Sequence, residues 1–151
     1  MTDIREQILS RLQAVAAAID PALDDRRNEA DLADTALPAV VLLDGEESAV
    51  DDAGTRPLMT PRIVEMTPEV QFRIQAKAKD IGPNLNEWRA KLIHAVLTDT
   101  TLAGLTVNRI GIRYRGSATI TERGRSMEGG IGVAFTFTYL LNPSDLVETT
   151  A

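Results

Sequence analysis

Glu128–Pro143, EGGIGVAFTFTYLLNP, is the stretch whose pattern decides the fold. Ile131, Val133, Phe135, Phe137, Tyr139 and Leu141 take every second position, with Gly132, Ala134, Thr136, Thr138 and Leu140 between them. A period of two places the large set on one face of a β-strand and the other set on the opposite face. Aromatic, β-branched and threonine side chains suit a pleated, half-buried surface. At roughly 1.5–3 kcal/mol per buried large side chain, the six together give on the order of 10 kcal/mol of gross burial. The pattern predicts a central strand with Phe135 and Phe137 in the core. Asn142-Pro143 stops it, because proline has no N–H to donate to a ladder.

Working outward, Ile110, Ile112 and Tyr114 alternate with Arg109, Gly111, Arg113 and Arg115, which predicts a partner strand. From Ser117 to Gly130 the chain reads as a polar, glycine-rich connection. Arg62–Ala78 reads as strand broken at Pro68, with Val70, Phe72 and Ile74 on its buried face and Gly82-Pro83 ending it. Ala39–Leu43, AVVLL, is a short apolar run that predicts a strand covered on both faces. Two helices are expected. Asp3 with Glu6 forms a capping box before Ile4, Ile8, Leu12, Val15 and Ile19. Asn84 with Glu87 forms another before Leu85, Trp88, Leu92 and Val96, supported by Ile93 and Leu97. Residues 20–37 read as a connection with a helical turn near Glu29–Asp34, and 98–104 as a link. The expected fold is a single α+β domain over 1–151, a mainly antiparallel (mixed) β-sheet with two amphipathic helices packed on one face. Within it, 44–61 is a long acidic loop forming a mobile, projecting hairpin arm, and 144–151 a flexible C-terminus.

The 151 residues are enough to bury roughly 68–70% of the unfolded surface. The absence of cysteine excludes disulfides, thiolate metal sites and cysteine nucleophiles. No apolar run approaches the ~18 residues of a membrane span, so neither export nor insertion is expected. A net charge of −6 argues against a general nucleic-acid binder. Residues 1–60 hold 13 acids and 5 bases, a net of −8, and residues 61–151 hold 9 acids and 11 bases, a net of +2. Glu46, Glu47, Asp51 and Asp52 concentrate the acid, and Arg109, Arg113, Arg115, Arg123 and Arg125 the base. These two sets form the candidate interface between subunits or onto a partner, since an acidic region and an arginine-rich one allow head-to-tail contact.

Catalytic signatures are missing. Gly111–Ser117 imitates the glycine spacing of a phosphate loop without its Lys-Ser/Thr, and Phe135 stands where a dinucleotide fingerprint needs its third glycine. The acidic loop lacks EF-hand spacing. His94, the only histidine, has no ligand or nucleophile motif around it. No enzyme activity, cofactor or metal is expected.

Ile112-Arg113-Tyr114-Arg115-Gly116, Gly124-Arg125-Ser126-Met127-Glu128-Gly129 and Phe135-Thr136-Phe137-Thr138-Tyr139 together resemble the C-terminal region of bacteriophage tail terminator (tail completion) proteins of long-tailed phages and prophages. There an I-R-Y-x-G segment leads to a G-R-x-M-x-G turn and an F-x-F-x-Y strand. PAVVLLDG at Pro38–Gly45 and MTPEV at Met66–Val70 resemble the same family. The resemblance implies a small α+β subunit of a structural virion protein. Its partners would be copies of itself in a six-membered ring, the major tail tube protein and a head-completion or connector protein. The ring would cap the finished tube at the head–tail junction after assembly in the host cytoplasm, with DNA passing through unread. Another head–tail joining protein (a stopper or adaptor) and a protein-binding module with no phage role remain open alternatives.

Overall fold

The computed structural model describes residues 3–29, 37–50, 56–75, 78–122 and 128–147. Its centre is β7 (Glu128–Leu141), which pairs with strands on both edges. On one edge lie β4 (Arg62–Met66) and β5 (Glu69–Gln75), end to end in a single antiparallel register: Met66 faces Phe137 and Glu69 faces Ala134. Thr67-Pro68 is the expected break, closed by Phe135 N–H donating to the Pro68 carbonyl at 3.3 Å. The next row repeats the device. β2 (Ala39–Leu43) pairs with β5 and β3 (Glu47–Ala49) with β4, interrupted at 44–46. β6 (Ile112–Glu122) takes the other edge of β7, and β1 (Asp24–Arg27) lies parallel to β2. Seven strands thus fill five rows of one mixed sheet.

Alternation along β7 sorts the two faces as the sequence predicts. Ile131, Val133, Phe135, Phe137 and Tyr139 are all buried, together with Val40, Leu42, Val64, Met66, Val70 and Phe72 from the neighbouring strands. The helices α1 (Ile4–Ala17), α2 (Ala78–Thr98) and α3 (Thr100–Leu105) close this core. α1 contributes Ile8, Leu9 and Leu12, and α2 contributes Leu85, Trp88, Leu92 and Val96, the stripe read from the sequence. Leu97, expected to support it, is 49% exposed.

Several expectations are corrected. Asp3 caps α1 by accepting from Arg5 N–H, but Glu6 turns to Arg27 and does not complete the box. α2 begins at Ala78 and runs through Pro83, so Asn84 lies inside the helix and caps nothing. The link after Thr98 contains α3, started by Asp99, whose side chain accepts from Leu102 N–H. The connection after Pro21 contains β1, and the supposed linker beyond Gly116 continues β6 to Glu122. Within the long acidic stretch, β3 forms a hairpin with β4. Residues 30–34 of the expected helical turn lie outside the described residues. At the C-terminus, Asn142 caps a short 3-10 turn over Pro143–Asp145.

Candidate functional site

The sheet face turned away from the helices carries the even-numbered side of β7 and its neighbours. Gly130 and Gly132 leave a shallow floor there. A Cβ at Gly132 would collide with the Glu69 carboxylate, and one at Gly130 would press on the Arg73 side chain, so these glycines seat long polar side chains from β5. Gln71 donates to Glu69 at 3.2 Å along the same strand. Arg113 of β6 reaches across the β7 row to Glu65 of β4 at 3.3 Å. The far face is therefore a small-residue floor under a polar lattice.

Pairing in β6 shifts between Tyr114 and Gly116: Tyr114 faces Phe135 and Gly116 faces Ala134, leaving Arg115 as the unpaired residue of a bulge. Gly116 has φ +137, which favours glycine. On the helix side of this bulge, Arg89 from α2 lies 5.7 Å over the Tyr114 ring and donates to the Tyr114 and Ser117 hydroxyls at 3.2 and 3.1 Å. The hydrogen bond with Ser117, then the one with Arg89, favours the phenolate and lowers the Tyr114 pKa.

The break between β2 and β3 is fixed by charge. Arg27 of β1 is bidentate to Glu6 of α1 (2.7 and 2.8 Å) and to Asp44 (2.9 and 3.0 Å). Both carboxylates are held below their usual pKa range, in each case chiefly by hydrogen bonding to Arg27. Asn28, left-handed at φ 55, accepts from Asp44 N–H through its side chain. Gly45 at φ +73 packs so closely on the Thr67 carbonyl that a side chain would collide with it. Arg5 donates to the Gly45 carbonyl at 3.2 Å and approaches Glu47 at 3.9 Å. Beneath them the Tyr139 hydroxyl is buried, and burial, then the Glu47 carboxylate beside it, raises its pKa.

The structure divides the sequence-predicted interface. Glu47 turns inward to Arg5, and Arg113 is paired with Glu65. Glu46, Arg109 and Arg115 are exposed and, among the described residues, have no ion-pair partner. Arg109 sits near the β3–β4 hairpin end of the sheet, because Thr138 N–H donates to the adjacent Gly111 carbonyl. Asp51, Asp52, Arg123 and Arg125 lie outside the described residues. Glu122 faces Glu128 at the opposite end of the sheet from the paired ends of β4 and β7 at Arg62 and Leu141. The Arg27 cluster escaped sequence reasoning, since its members are separated by 17 and 21 residues and only β1 unites them.

His94 is exposed on α2, and its carbonyl accepts from Thr98. Among the described residues no group of three or more His, Asp or Glu gathers as a metal site, and no helix is long and apolar enough to cross a membrane. No known protein family matches the chain, and no curated protein is significantly similar to it.

Proposed function

We propose that this chain is the subunit of a phage tail terminator, a ring that caps a completed tail tube, stops its polymerisation and offers the head-joining surface. The observation that carries this reading is the pairing of two resembling segments. Ile112-Arg113-Tyr114 lies directly against Phe135-Thr136-Phe137, with Ile112 facing Phe137 and Tyr114 facing Phe135. The motif is thus a single structural unit, a bulged two-strand ribbon whose rings pack at 6.0 and 6.4 Å between centroids.

A ring requires two unlike surfaces on each subunit. The sheet has unlike edges, β6 with Arg115 at its bulge and β1, where Asp24 is paired with Arg26 at 2.8 Å. Among the described residues, unpaired charge of opposite sign sits at Glu46, by the hairpin break, and at Arg109 and Arg115 of the β6 side. Glu46, Arg109 and Arg115 are the described members of the proposed contacts with sister subunits or the tube. The competing reading, a stopper or adaptor at the same junction, differs in what it binds. Tail-tube protein polymerised with and without the purified chain tests the choice. A terminator yields capped tubes carrying the chain at one end and blocked from further growth. Tubes that keep growing and carry no chain overturn the reading.

A further inference from the structure

The exposed apolar side chains are unevenly placed. Val50 N–H donates to the Ile63 carbonyl, and Ile63 faces Leu140 across β4 and β7. Leu140 and Leu146 line one cleft of about 220 Å³ with Ile4, Leu105 and Val107. Leu58 and Met59 form the turn that precedes β4, whose first residue faces Leu141, and Val147 follows Leu146. Ile110 precedes β6 next to the Thr138 row. All eight side chains, Ile63 at 37% to Leu58 at 88% exposed, thus gather at the end of the sheet where β7 finishes. Among the described residues the other two exposed large apolar ones, Leu97 and Tyr114, lie apart on α2 and β6. The placement is held at a cost, because Asn108 and Arg109 both take left-handed φ (55 and 62) immediately before Ile110, itself 81% exposed.

We propose that this end binds the same end of a second copy, a twofold contact of the free subunit. With about 100 Å² for a large aliphatic side chain, the eight expose on the order of 500 Å². One side of a standard interface is about 800 Å², somewhat more than half of it apolar. The end therefore supplies the apolar area that a stable dimer needs from each partner. Among the described residues the remaining exposed large apolar side chains, Leu97 and Tyr114, stand singly, so the extended apolar surface on a second copy that matches this end in area is the end itself. A patch that meets itself gives an isologous contact, which closes at two. The contact stands apart from the terminator reading and does not depend on it.

Light scattering on the full chain tests it, with Ile110→Asp, Ile110→Lys and Leu97→Asp as variants and circular dichroism to verify folding. The parent and Leu97→Asp should run at twice the 16.4 kDa chain mass. Ile110→Asp and Ile110→Lys should each dissociate at least tenfold more readily, and mixing the two should restore the dimer through opposite charges across the twofold axis. If the Ile110 variants fail to fold, Val147→Asp and Val147→Lys replace them, since Val147 lies outside every strand. A parent that stays monomeric at all concentrations overturns the proposal. So does a dimer or ring indifferent to the Ile110 and Val147 charges, or one that the mixed variants fail to restore.

Discussion

Phe137→Ala removes the side chain on which three strands converge. Phe137 is fully buried, faces Met66 on one side and Ile112 on the other, and lies 6.4 Å from the Phe135 ring. Burial of a phenyl group is worth about 1.5–3 kcal/mol by transfer. The neighbours here are strand residues fixed in ladders on both edges, so the site collapses little and the cavity adds to the loss. The expected destabilisation is about 3–5 kcal/mol, a large share of the ~5–15 kcal/mol typical of a whole domain. Urea unfolding followed by circular dichroism measures it, with an unchanged slope showing that both states keep their compactness. Tyr114→Ala, on the half-exposed partner strand, serves as comparison and should cost less. A Phe137→Ala loss within about 1 kcal/mol of the parent, the range of surface substitutions, refutes the placement of β7 at the centre of the core.

Glu6 and Asp44 have pKa values lowered in the folded state, so their pairing with Arg27 stabilises the protein above the unfolded carboxylate values of 4.5 and 3.8 and is lost as pH falls through the lowered ones. Urea midpoints between pH 7 and pH 3 should drop less steeply for Arg27→Met than for the parent, and parallel curves would remove the cluster from the acid response. Gly104→Ala, with open space at the new Cβ within α3, should gain roughly 0.5–1 kcal/mol. Gly111→Ala should lose about 1–3 kcal/mol, its Cβ falling 2.5 Å from the Thr138 carbonyl, and thermal melts that reverse this order would contradict both local geometries.

The parts of the fold that the sequence revealed are those where burial imposes a period. β7, β2, β5 and the inner stripes of α1 and α2 each bury one face or both, and their apolar spacing records it. β1 was invisible because Asp24-Asp25-Arg26-Arg27 buries no large apolar side chain; its place is set by β2 and by the charge partners of Arg27. The second half of β6 hid for a related reason, since an edge strand of Gly116, Ser117, Ala118 and Thr119 needs no apolar alternation. Gly82-Pro83 signalled a break, yet proline near the start of a helix is tolerated far better than one in its middle. Asp99 three residues before Leu102 was a legible helix start that the short length of α3 obscured. For the interface, the arginine and acid counts were readable, but the pairing of Arg113 with Glu65 and of Glu47 with Arg5 depends on the sheet register and lateral packing. That pairing narrows the described set to Glu46, Arg109 and Arg115.

The terminator proposal is tested most directly by tail length. In a phage that encodes this chain, deleting its gene and measuring tails by electron microscopy should give tubes of uncontrolled length that fail to join heads, with the parental protein supplied in trans restoring both. Tails of normal length in the deletion would contradict the proposal.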